Sequence, residues 1–209
     1  MADHSVDPLP LTWERAQQLF DFFCPDALPE FDSYKTISIS AELEQLLQRI
    51  SALVPFKSEL QTRVTNVKEF LNGVQDKLAV PIDFPIKTKP MYYLLGDYYF
   101  KQSEIERCFQ YFLLDLCINP LRVDTWACMA LASASVLESK LNHCEKFKTE
   151  TEFLDKANST LVCFKQALNL AGDHIILWLE YGAFEYMIHS FCSRILKHES
   201  DTLSIERLV

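Results

Sequence analysis

The chain has 209 residues, enough for one sizeable hydrophobic core or two small ones, and 49% of them are apolar. Its four glycines are few, and all nine prolines lie at or before Pro120, so the second half is free to be helical almost throughout. A formal charge of -9 excludes a phosphate-binding surface of clustered Lys and Arg, so basic proteins rather than nucleic acid are the expected class of partner.

Residues 1–11 are polar and proline-bearing and read as a flexible tail. An N-terminal helical segment follows over residues 12–79. Thr12 is the expected cap of a helix that carries Trp13, Ala16, Leu19, Phe20 and Phe23 on one face and ends at Cys24 and Pro25. From Pro25 to Ser38 the helical period is absent, and a loop is expected, pinned to the surface by Phe31 and Tyr34. Ser40 then precedes a strong apolar stripe, Leu43, Leu46, Leu47, Ile50, Leu53 and Val54, closed by Pro55. A capping box of Ser58 and Gln61 predicts another helix holding Leu60, Val64, Val67, Leu71, Val74 and Leu78. These two helices read as a diverged helix hairpin or as a separate antiparallel pair.

Residues 80–90 contain three prolines and no period, which predicts an extended connector and a boundary. From Lys89 to Pro120 the chain carries Tyr92, Leu95, Gly96, Tyr99, Cys108, Phe112 and Pro120, the spacing of a tetratricopeptide repeat of about 34 residues. Such a repeat is a pair of antiparallel helices. Gly96 lets the second helix approach the first, Cys108 and Phe112 form the facing stripe, and Ser103 with Glu106 is the expected capping box of the second helix. One period further on, Trp126 opens a second repeat, with Asp124 as its cap and Met129, Ala130 and Ser133 at inner positions. Its partner helix comes late, at Thr160, Phe164 and Ala167, so an insert near 137–154 either lengthens both helices or loops between them. A third opening helix, capped by Asp173, carries Trp178, Tyr181 and Gly182 and stays apolar through Ile188, Phe191, Ile195 and Leu196. Tetratricopeptide-like repeats thus fill residues 91–209, and the expected fold is an all-α helical solenoid of antiparallel hairpins. No plainly polar closing repeat is seen, so the chain reads as a piece of a longer protein.

The sequence carries little that resembles catalytic chemistry. The seven cysteines are odd in number and lack a C-x2-C pair, which suits buried thiols of a reducing compartment. None of the five histidines falls in an H-x3-H pair, and the nearest constellation is His143 beside Cys144 on the charged insert. P-loop, G-x-S-x-G and G-x-G-x-x-G motifs are missing. No catalytic residue, no metal ligand and no cofactor is expected, and the chain reads as a non-enzyme. No apolar run reaches the length of a membrane span.

The surface left for function is the face lined by the first helix of each repeat. The side chains expected to project there are Tyr93, Asp97 and Phe100, then Ala127, Leu131 and Ala134, then Leu179, Ala183 and Tyr186. Repeat proteins that hold acidic chaperone peptides place Lys, Asn and Arg at such positions. Here the groove is apolar and aromatic, suited to a helix or to another part of the same assembly. The alternative is that these side chains pack between neighbouring repeats.

Four stretches, LPLTWERAQQLFDFF from Leu9, LPEFDSYKT from Leu28, YYLLGDYYFK from Tyr92 and RVDTWACMALASAS from Arg122, resemble the Cabin family of calcineurin-binding proteins. The first two are not general repeat consensus. The resemblance implies part of a large nuclear scaffold rich in tetratricopeptide repeats, related to a subunit of the HIRA histone-chaperone complex. Its implied partners are protein subunits of that complex. Any calcineurin contact is expected in regions outside this chain, although direct inhibition of that phosphatase, or a generic peptide-binding adaptor role, is the alternative reading. Self-association through the apolar last helix stays open.

Overall fold

The computed structural model describes residues 10–31, 39–142 and 150–197. Among the described residues the chain is all-helical, with no strand and eight α-helices: α1 (Trp13–Phe23), α2 (Ala41–Ala52), α3 (Lys57–Leu71), α4 (Met91–Lys101), α5 (Ile105–Ile118), α6 (Val123–Asn142), α7 (Glu150–Leu170) and α8 (Ile175–Lys197). A 3-10 turn, Ile86–Thr88, leads into α4.

From α4 onward each helix packs on its near neighbours. α4 lies on α5, α6 on α7, and α8 on α7, while α4 touches α6 and α6 touches α8. The first hairpin is closed by Gly96. A Cβ built there would lie 2.4 Å from the Phe112 ring, and that ring is fully buried. The missing side chain is therefore what allows α5 to sit where it does. Gly96→Ala is expected to lower stability by about 1–3 kcal/mol through overpacking. Phe112→Leu in the same chain should return part of that loss in a urea-unfolding double-mutant cycle, and strictly additive effects would contradict the contact.

The turn between α4 and α5 departs from expectation. Ser103 does not cap α5, whose preceding residue is Glu104 with no side-chain cap. Instead Ser103 adopts a left-handed φ of 60°. Its N–H donates to the Phe100 carbonyl at 3.0 Å, and the Glu104 N–H donates to the Tyr99 carbonyl at 2.9 Å. This pair of bonds is a Schellman close to α4, with Ser103 where glycine is usual. The S-x-x-E pattern was misread because the C-terminal needs of α4 prevail over the N-terminal needs of α5. Ser103→Gly should therefore stabilise the protein by about 1 kcal/mol, measurable as a raised urea midpoint, by removing the Cβ penalty of that conformation.

Thr12 and Ser40 cap α1 and α2 through their side-chain oxygens, which accept from the Arg15 and Leu43 N–H groups. The α3 helix differs from its predicted form. It begins after Phe56 without a side-chain cap, holds Ser58 inside its first turn, and stops at Leu71. Gly73, at φ 71°, closes it with the same pair of bonds that Ser103 makes, and Val74 is left exposed. The second and third helices do not form a self-contained pair: α2 packs on α4, while α3 lies across α5 and α7. Glu44 of α2 accepts from the buried Tyr99 hydroxyl of α4 at that junction.

The connector 80–90 runs through the core rather than over it. Ile82 donates its N–H to the Cys117 carbonyl at 2.9 Å, and Ile82, Phe84 and Thr88 are buried. Phe84 meets the rings of Trp13, Phe56 and Tyr92 at 6.0, 5.8 and 5.9 Å. The insert lengthens both flanking helices, since α6 runs to Asn142 and α7 starts at Glu150. His143 and Cys144 lie outside the described residues, as does Tyr34.

Candidate protein-binding groove

Helices α4, α6 and α8 stand side by side and frame a groove. One end of it is filled by the chain itself. The loop after α1 crosses all three elements: the Tyr93 hydroxyl of α4 donates to the Pro29 carbonyl, Phe31 donates its N–H to the Asp124 carboxylate at 3.1 Å, and the Phe31 ring lies 4.5 Å from that of His174, just before α8. Phe31 is buried, as its aromatic character led one to expect, but against the groove and not the outer surface. This also explains why Asp124 is no helix cap. It is the second residue of α6, and its carboxylate is spent on the loop. Asp173 likewise precedes α8 without capping it, since the His174 carbonyl accepts the first helical bond from Trp178.

The nine expected groove residues divide into three groups. Tyr93, Asp97 and Ala127 are buried under the loop or between helices and present no surface. Arg122 stacks over the Tyr93 ring at 4.8 Å, and burial pushes the Tyr93 hydroxyl well above the usual tyrosine range. Asp97 is ion-paired with Lys101 at 2.9 Å. Phe100, Leu131 and Ala134 are brought together as expected, in a cavity of about 430 Å³ that they share with Lys101, Ser103, Ile105, Ser135, Glu138 and Glu180. Leu179, Ala183 and Tyr186 lie outside this cavity and are exposed. α8 instead turns Glu180 toward it, one residue out of the expected register. Among the described residues nothing lies within 4 Å of a Cβ built on Gly182, so this glycine, unlike Gly96, receives no described helix.

The groove is braced from behind by a buried polar junction. Asp115 of α5 accepts from Thr125 at 2.6 Å and from Asn119 at 2.9 Å, and pairs with the Arg122 guanidinium at 3.2 Å. Burial pushes the Asp115 carboxyl up to about 6, against the pull of Arg122, Thr125 and Asn119. The guanidinium thus touches both Asp115 and Tyr93, tying the floor of the first hairpin to the start of α6. This is hairpin bonding of the kind expected for Asp115.

The thiols show the same bias toward structure. Burial raises every described cysteine, with Cys108, Cys117 and Cys163 pushed up to about 12. Thiolate is the reactive form, so near neutral pH these groups are held mainly as the less reactive thiol. Among the described residues no group of three or more His, Cys, Asp or Glu could hold a metal ion, and no helix is long and apolar enough to cross a membrane.

Sequence reasoning expected the loop and its anchor Phe31 but not their place in the groove, and it missed the two glutamates of the rim. The only signal for that place was a buried-type aromatic two residues after a proline. Compared with known proteins, no family model matches the chain and no solved structure matches it.

Proposed function

We propose that the chain is a non-catalytic scaffold segment, a tetratricopeptide-like repeat module that docks on protein subunits of a nuclear chromatin-assembly complex of the histone-chaperone kind. One contact, made twice, carries the repeat reading. The Trp126 indole N–H donates to the Pro120 carbonyl and the Trp178 indole N–H to the Gly172 carbonyl, each at 2.8 Å and each six residues back. Two tryptophans at the same repeat position thus lock the same entry turn. The neighbour-to-neighbour packing of α4 to α8 supports a solenoid, in which each hairpin leans only on the next. Buried thiols with raised pKa values and a carboxylate committed to a hairpin junction support a structural role over a catalytic one. The nuclear and chromatin assignment rests on the family resemblance of the stretches from Leu9, Leu28, Tyr92 and Arg122.

The full chain, immobilised and shown to be helical by circular dichroism, should recover histone-chaperone subunits from nuclear extract, identified by mass spectrometry. A folded bait that recovers none of them would overturn the assignment to that assembly.

A further inference from the structure

Among the described residues the groove between α4, α6 and α8 is closed at one end and open at the other, and the two ends differ in chemistry. At the closed end it already holds an extended segment of the chain. Pro29 and Phe31 have their backbone groups satisfied by the side chains of Tyr93 and Asp124, and the aromatic ring is set on His174. Walls that satisfy backbone carbonyl and N–H groups with side chains suit an extended strand, whose polar groups are free, better than a helix, whose groups are spent internally. At the open end the cavity of about 430 Å³ has Phe100, Ile105, Leu131 and Ala134 as its apolar part. That volume falls in the usual range of roughly 300–1,000 Å³ for ligand pockets and admits one large side chain with its adjoining backbone.

The rim of the open end is acidic. Glu138 and Glu180 both line it, and among the described residues neither has an ion-pair partner. The one cation in the lining, Lys101, is paired with Asp97 at 2.9 Å, so its charge is largely offset there. With a formal charge of -9 on the whole chain, the field around the opening attracts cations. A purely apolar ligand would strip water from the two glutamates without compensation, and an acidic one would be repelled.

We propose that this open end receives a large apolar side chain flanked by Lys or Arg, presented by an extended segment of a partner protein, with Glu138 and Glu180 reading the flanking charges. The proposal rests on the interaction-module reading above and names the partner chemistry of its groove. The segment is short, because Pro29–Phe31 closes the far end.

The test uses the full chain and a fluorescent nonapeptide with a central leucine, two arginines on either side and glycine-serine ends. Saturable anisotropy is expected with the native chain. Affinity should fall about tenfold when the leucine is replaced by serine, and about tenfold in the Glu138→Lys, Glu180→Lys double variant. Glu138 is exposed and Glu180 is half-buried at the cavity rim, and both sit inside long helices, so the helical circular dichroism of that variant should match the native chain. No saturable binding, equal affinity for the leucine-free peptide, or equal affinity of the double variant would each overturn the proposal. Subunit capture by the same two chains separates the two levels. Native and variant chains that capture equally, with no peptide bound, remove the pocket and keep the module; a native chain that captures nothing removes the module reading, whatever the peptide does.

Discussion

Phe84→Ala is expected to lower the free energy of unfolding by about 3–5 kcal/mol, the range for deleting a fully packed aromatic side chain. Phe84 is 1% exposed and touches three rings that belong to different parts of the chain: Trp13 of α1, Phe56 at the start of α3 and Tyr92 of α4. The cavity it leaves cannot collapse easily, because each of those rings is anchored on a separate helix. Ile86, two residues on and 83% exposed, supplies the control, and Ile86→Ala should change stability by no more than about 0.5 kcal/mol. The measurement is urea unfolding followed by far-ultraviolet circular dichroism. A loss below about 1 kcal/mol for Phe84→Ala, or an α1–α3 transition separate from the rest in the native chain, would show that the N-terminal helices have a core of their own.

Arg122→Met should cost a similar amount near neutral pH, about 3–5 kcal/mol, because it strands a buried carboxylate. Asp115 is fully buried and its remaining partners, Thr125 and Asn119, are neutral. The cost should depend on pH in a defined direction. The folded-state pKa of Asp115, about 6, lies above its ordinary 3.8, so the native state holds this proton more tightly than the unfolded chain. Stability from this group is therefore complete below about pH 4 and is lost as pH rises toward the folded value. Removing Arg122 removes the strongest influence pulling that value down, so in the variant the loss continues to higher pH. The gap between native and variant chains should narrow as pH falls from about 7 to about 5. Asp115→Asn in both backgrounds should abolish that narrowing. A gap that is constant across this range would mean that the guanidinium acts through its packing on Tyr93 alone.

The cavity residues Phe100, Leu131 and Ala134 were legible because their spacing on α4 and α6 follows the helical period counted from Tyr92 and Trp126. Tyr93, Asp97 and Ala127 share that spacing yet are buried, since the same face is shared between an occupied and an open end of the groove. Leu179, Ala183 and Tyr186 were placed by counting the same offsets from Trp178 as from Tyr92 and Trp126. The count was right to within one position, but α8 is turned so that Glu180 faces the cavity. Caps were legible where a polar residue precedes a helix with nothing before it to satisfy, as at Thr12 and Ser40. They were illegible at Ser103, where two helices compete for one turn, and at Asp124, whose carboxylate answers a distant backbone group.

By itself the sequence determined the helices, most of their limits, and the close approach of α4 and α5 at Gly96. These follow from periodicity and from the size of single side chains, which act over one or two turns and one hairpin. Only the tertiary structure decided that Phe84 is core, that α2 and α3 brace the first hairpin instead of each other, and that Pro29–Phe31 occupies the groove. The bonds responsible join residues 64 and 93 positions apart, from Pro29 to Tyr93 and from Phe31 to Asp124. No local pattern encodes such a pairing, because the partner of a buried polar group is set by which surfaces the packed helices bring within reach.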